Sequence, residues 1–232
     1  LPQAFRQQIL QRAAGIPFYL EEILRMLIDQ QLIHRAEGSW QLAEGVKLTD
    51  FGVPDNLQSL ILARFARLSP IQRKVLQAAA VVGKQFGLPL LAAILRNLSE
   101  GNIVEVLASL VERAFLLPQS EGQERDFLFR HVLTSDAVYS TLLRRDRLRL
   151  HGQVAESIEK LYGEHLEGQV EVLTSHYLRS EKLDRALHYL ILAGQKAARD
   201  YANLQARMHY EEAANLLPKV VHTGEQTQQV QE

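Results

Sequence analysis

The chain has 232 residues, 47% of them hydrophobic, with 26 Lys and Arg against 27 Asp and Glu and a net charge of -1. That composition can bury a substantial core, split between two or three small units, and it sets up no global field for nucleic acid or acidic lipid. The absence of cysteine excludes disulfides, Fe–S clusters and thiolate zinc sites and leads us to expect a cytoplasmic protein, while no apolar run approaches the ~20 residues of a membrane span. The first residue is Leu1 and not Met, so we expect a segment of a longer polypeptide.

From Ala4 to Ala14, Phe5, Ile9, Leu10 and Ala13 recur at helical spacing. Gly15 stops that helix, and Pro17 suits the first turn of the next, where a missing N–H costs nothing. The second helix runs to about Gln30 with Leu20, Ile23, Leu24, Leu27 and Ile28 on its apolar face. Leu32-Ile33-His34 and Trp40-Gln41-Leu42, around Glu37-Gly38-Ser39, read as a short hairpin. Val53-Pro54-Asp55 caps a third helix carrying Leu57, Leu60, Ile61, Arg64 and Leu68.

Ser69-Pro70 opens a new unit. Its first helix, Ile71 to Val82, has Val75, Leu76 and Ala79 as a core stripe, and Gly83 ends it. A helix around Leu88 to Leu95 follows, then one behind Ser99 through Ile103, Val106, Leu107, Leu110 and Val111. Phe115 to Pro118 and Phe127 to Phe129 are strand-like, joined by the polar turn Gln119 to Asp126. Three helices and then a two-stranded ribbon is the element order of a winged helix.

Everything later is helical: Leu133 to Leu143, Asp146 to Tyr162, Gly168 to Arg179, Leu183 to Tyr201 and Leu204 to Leu217. Leu190, Ala193, Gly194 and Ala197, then Ala206, Tyr210, Ala213 and Pro218, fall at the offsets of a tetratricopeptide (TPR) helix pair. Such repeats bury their faces by stacking, so we expect a solenoid that continues past Glu232. Gly224 to Glu232 reads as a polar, frayed tail.

On local chemistry alone, the individual signals favour structural roles. Gly15-Ile16-Pro17 between helices is ordinary punctuation, although proline also offers a rigid apolar ridge that can lie against a flat base. His131 at a strand end reads as a core residue, or as a donor to a phosphate oxygen. Glu21 and Glu22 complement the dipole of their helix. The basic run Arg144 to Arg149 reads as a solvated helix start, and the histidines have no metal-ligand spacing. No G-x-x-x-x-G-K-[ST] loop is present; the nearest stretch, Ala78 to Gln85, has Ala for the first glycine and Gln for the hydroxyl. Glu100, Glu105 and Glu112 on the third winged-helix element and the acidic wing 119–126 argue against DNA.

Taken in order, Gly15 to Glu22, Val53 to Leu57, Leu76 to Gly83, Phe129-Arg130-His131-Val132-Leu133, His151 and Ala186 to Gly194 resemble signal-transduction ATPases with numerous domains, the STAND class. The nearest resemblance is to bacterial multidomain forms joined to nucleotide cyclase domains or LuxR-type regulators. It implies a mainly α chain: a helical lid of an ATPase domain over 1–68, a winged-helix domain with a small β-ribbon over 69–143, a TPR-like region over 144–223 and a tail over 224–232. It further implies that Gly15, Pro17 and His131 bind ATP or ADP, with Pro17 against the adenine and His131 on the ADP phosphate. The family's Met-His-Asp form is altered here, with Arg130 before the histidine and Val132 after it. The phosphate loop and the Mg-binding Asp would lie upstream, so this segment alone is not expected to hydrolyse ATP. Expected partners are the chain's own upstream nucleotide-binding domain, further copies through self-association, and proteins that bind the TPR-like helices. The alternative is a winged-helix transcription activator.

Overall fold

The computed structural model describes residues 1–36, 38–43, 56–119, 126–163 and 165–229, with side chains described through Val221. Among these the chain is mainly helical, with eleven α-helices and a few short strands. It divides into two compact units, Leu1–Ala80 with Glu100–Thr141, and Val81–Ser99 with Leu142–Glu232. No described helix is long and apolar enough to cross a membrane.

The first unit opens with α1 (Gln3–Ala13) and α2 (Pro17–Asp29). Between them Ala14 and Gly15 both take positive φ, 47° and 76°, so the chain leaves α1 in the left-handed region and re-enters at Pro17, the first residue of α2. Strands β1 (Ile33–Ala36) and β2 (Ser39–Leu42) form an antiparallel ribbon in which Ile33 faces Leu42. Helix α3 (Leu57–Ala66) then packs on α2. Phe5, Ile9, Ala13, Tyr19, Ile23, Met26, Leu27, Ile33 and Leu60 make one apolar core. Each large side chain of that kind removed from water contributes about 1.5–3 kcal/mol.

Helix α4 (Pro70–Val82) starts at a reciprocal cap: the Gln72 N–H donates to Ser69 Oγ and the Ser69 N–H to Gln72 Oε1. Strand β3 (Gln85–Gly87) and helix α5 (Leu88–Ile94) come next, followed by α6 (Glu100–Glu112). Strands β4 (Leu116–Gln119) and β5 (Asp126–Phe129) pair antiparallel, Leu116 opposite Phe129. Helix α7 (Val132–Ser140) leaves that ribbon directly and packs on α3. The second unit stacks α5, α8 (Arg144–Tyr162), α9 (Val170–Leu178), α10 (Leu183–Arg199) and α11 (Asn203–Gln229) in succession, each on the next except that α5 meets α8. Gly194 lets α10 and α11 approach closely, since a Cβ there would lie 2.6 Å from Tyr210 Cε1.

Several expectations need correction. Leu10 and Ile28 are exposed, at 59% and 38%, while Tyr19, Glu22 and Met26 are buried in their stead. Asn56, whose side chain accepts the Ser59 N–H at 2.8 Å, caps α3 in place of Asp55. Val53 to Asp55 itself lies outside the described residues, as do Glu37 of the first turn and residues 120–125 of the expected wing. A short strand, β3, occupies the expected break before α5. Helix α11 does not end before Pro218 but runs through it to Gln229, so the described part of the expected frayed tail is helical; residues 230–232 lie outside the described residues. Proline supplies a helix-compatible φ and forfeits one backbone hydrogen bond, and Leu216 and Val220 keep a buried or half-buried face on either side of it.

Candidate functional site

Gly15, Pro17 and His131 all belong to the first unit. Gly15 and Pro17 are exposed in the turn that starts α2, with no atom within 4 Å of a Cβ built on Gly15. His131 is the N-cap of α7, where the β5 ribbon turns into that helix. Phe18, the neighbour of Pro17, stacks on His131 with centroids 3.7 Å apart and planes 10° from parallel. The turn that carries Pro17 and the histidine that follows β5 therefore meet through two rings.

Three residues on α2 make this corner. Phe18, Glu21 and Arg25 are spaced by three and four positions and so share one helix face. Glu21 Oε1 accepts from Arg130 at 2.5 Å and lies 3.5 Å from Arg25. Arg130 and Glu21 are 109 residues apart in sequence. The Leu133 N–H donates to His131 Nδ1 at 3.3 Å, satisfying one of the free N–H groups at the start of α7. A neutral imidazole accepting at Nδ1 carries its proton on Nε2, which leaves that nitrogen as a ring N–H donor. Among the described residues Arg25 Nε, although buried, has no hydrogen-bond partner.

Glu22, next to Glu21, has a different environment. Arg64 donates to Glu22 at 2.6 Å, to Asp29 at 3.1 Å and to the Arg113 carbonyl at 2.6 Å, with its guanidinium 4.7 Å from the centre of the Phe115 ring. The Arg64 and Glu22 side chains are 1% and 3% exposed. This knot ties α2, α3 and the α6–β4 corner together. The helix-dipole reading of Glu21 and Glu22 is thus replaced: neither lies in the first turn of α2, and each has an arginine from a distant segment. Phe18, Arg25 and Arg130 were not singled out as site residues from the sequence; the i, i+3, i+7 spacing on α2 was the available signal, and its partner segment was not.

The second unit has two polar clusters. His151 and His176 are buried with Nδ1 atoms 2.9 Å apart. Burial, reinforced by His176, Arg179 and Arg147, lowers the His151 pKa to about 3; burial and Arg179 lower that of His176 to about 4 against an opposing hydrogen bond with the Val82 backbone. In a neutral pair one proton between the two Nδ1 atoms satisfies both of those nitrogens. Glu159 receives the Tyr189 hydroxyl at 2.7 Å and a bond from Arg185. Burial opposes its charge, yet those bonds outweigh burial and hold its pKa below the ordinary value. Burial and Glu159 push Tyr189 up to about 12. The histidine pair joins α8 to α9, and Glu159 with Tyr189 and Arg185 joins α8 to α10. In the basic run, Arg144, Arg145 and Arg149 are exposed and Arg149 pairs with Asp146 at 3.2 Å. Among the described residues no group of three or more acidic or histidine side chains could hold a metal ion.

No protein-family model matches the chain. It is 26% identical over 207 residues to an uncharacterized protein of Rhizobium meliloti (strain 1021), an alignment covering 88% of this chain and 19% of that protein. It is 23% identical over 207 residues to adenylate cyclase type 10 of Rattus norvegicus, covering 73% of this chain and 13% of the cyclase. The chain thus spans less than a fifth of the curated relatives it matches, and its similarity is weak and lies within much longer proteins, one of them an adenylate cyclase.

Proposed function

We propose that this chain is the lid, winged-helix and first TPR region of a STAND-class ATPase, and that it couples ATP or ADP binding to self-association and to an output domain. The observation that carries this reading is the ring stack of Phe18 on His131, because it joins the Gly15-x-Pro17 turn to the histidine after β5 across more than a hundred residues. In a switch of this kind ADP would be held by an upstream phosphate loop with its Mg, by Pro17 against adenine and by His131 on phosphate. Exchange for ATP would then favour the open form through its different affinity for the two states. The antiparallel β4–β5 ribbon, following α4, α5 and α6 in chain order, supports the winged-helix assignment, and the close α10–α11 approach at Gly194 supports the TPR one. Similarity to an adenylate cyclase makes a cyclase the favoured output domain. Glu100, Glu105 and Glu112 are all exposed on α6, which speaks against a DNA-reading helix.

The test uses the longer polypeptide that contains this chain. His131→Ala is expected to lower co-purified ADP and raise basal output, since losing a hydrogen bond to a charged phosphate costs about 1.5–3 kcal/mol, or roughly tenfold or more in a two-state balance. Unchanged ADP content in a folded variant would remove His131 from the nucleotide site. The 232-residue chain alone is expected to release no phosphate from ATP.

A further inference from the structure

The adjacent glutamates of α2 hold two arginines in unlike settings. Glu22 and Arg64 are 3% and 1% exposed, a pair sealed from solvent. Glu21 and Arg130 are 37% and 32% exposed, and Arg25, the second cation on Glu21, is 32% exposed. A sealed pair has no route by which a solute could replace the carboxylate; a half-exposed pair does. Glu21 is also outnumbered, facing two guanidinium groups with a single carboxylate, and among the described residues Arg25 Nε has no partner. His131 stands beside Arg130 in sequence, is held flat by Phe18, and spends Nδ1 on the Leu133 N–H, which leaves Nε2 as a donor. Two planar guanidinium forks converging on one exchangeable carboxylate suit a tetrahedral, multiply charged oxyanion better than they suit the carboxylate.

We propose that Arg130 and Arg25 form a phosphate-binding site that Glu21 fills from within the chain, so that a phosphoryl group binds by displacing Glu21 from Arg130. The proposal rests on the switch reading above only for which molecule carries the phosphate. It makes Glu21 a built-in competitor: with no phosphate bound, the Glu21–Arg130 pair ties α2 to the β5–α7 corner, and phosphate binding exchanges that tie for one through the ligand.

Calorimetric titration of the 232-residue chain with pyrophosphate, ADP and adenosine at low salt tests it. Glu21→Gln removes the competitor and its repulsion, so pyrophosphate should bind about three- to tenfold more tightly than to the parent. Adding Arg130→Gln to Glu21→Gln should abolish that gain, and Arg130→Lys in the same background should keep part of it. Circular dichroism melts establish that each variant is folded. A folded Glu21→Gln chain that binds pyrophosphate no better than the parent overturns the proposal, as does a gain that survives Arg130→Gln. If pyrophosphate binding tightens while ADP is no better than pyrophosphate and adenosine does not bind, the phosphate site stands and the adenine contact at Pro17 fails.

Discussion

The two units bury polar groups by opposite means. In the first, Arg64 is buried as an ion, with Glu22, Asp29, the Arg113 carbonyl and the Phe115 ring around it. In the second, His151 and His176 are buried neutral, with Arg147 and Arg179 near them. Like charge and burial push in the same direction for a histidine, so the pair is held neutral, whereas a buried guanidinium stays charged and calls for opposite charge within hydrogen-bond reach. The second unit does use an ion pair, Glu159 with Arg185, but at the surface edge of its helix stack, where Arg185 is exposed. Buried charge joins segments far apart in sequence in the first unit, whereas short neutral contacts join neighbouring helices in the second.

The sharpest way to break that contrast is to remove the buried cation. Arg64→Met strands Glu22, and breaking a buried pair by deleting one partner costs about 3–5 kcal/mol. We expect the urea midpoint to fall accordingly and Arg64→Met/Glu22→Leu to regain a large part of it. A drop below 1 kcal/mol for the single variant would mean that Glu22 finds water, and the knot would not be a sealed pair.

The neutral pair answers to pH instead. Both histidine pKa values are depressed in the folded chain, so the unfolded chain binds more protons as pH falls. Their contribution is fully present above about 6.5 and is lost as pH drops toward the folded values of about 4 and about 3. Within that window each histidine gives a slope of about 1.4 kcal/mol per pH unit. Urea melts from pH 7 to pH 4.5 should show the loss, and His151→Leu/His176→Met should flatten it. A double variant with the parent's pH slope would assign the loss to other groups.

Helix positions were well marked in the sequence because the three- and four-residue apolar spacing of α2, α4, α6 and α10 is a local property of each helix. The start of α2 at Pro17 followed from proline geometry alone. What could not be read were facts that depend on a second segment. Ile28 and Leu10 match the helical period, yet they are exposed, whereas Met26 and Tyr19 are buried. Glu21 and Glu22 look like dipole-compensating residues until α3 and β5 bring Arg64 and Arg130 to them. Pro218 looks like a stop because its own missing hydrogen bond is a local cost, whereas the packing that carries α11 past it is not. The candidate site followed the same rule: Pro17 and His131 stood out in the sequence, and Phe18, Arg25 and Arg130 required the fold.

Packing at the α10–α11 contact should give a smaller effect. Gly194→Ala places a methyl where Tyr210 Cε1 would be 2.6 Å away, and the ring must move or the helices must part. Overpacking of this kind costs about 1–3 kcal/mol. Because Tyr210 is 42% exposed, its ring has room to swing outward, which favours the low end. Gly194→Ala/Tyr210→Leu should recover most of the loss; no recovery would mean that backbone contacts, and not the ring, set the helix separation.

Glu21→Gln should have the smallest effect on stability, and its smallness is what the comparison with Arg64 requires. The Glu21–Arg130 pair is 37% and 32% exposed, so water and salt screen it and its loss should cost no more than about 1 kcal/mol. The Phe18–His131 stack and the Leu133 N–H bond remain in place to hold the corner. Raising salt should erase the remaining difference between Glu21→Gln and the parent, because screening already removes what the substitution removes. A loss of 3 kcal/mol or more, unaffected by salt, would put Glu21 in the same class as Glu22: a fixed structural carboxylate, too firmly held to give way to another anion.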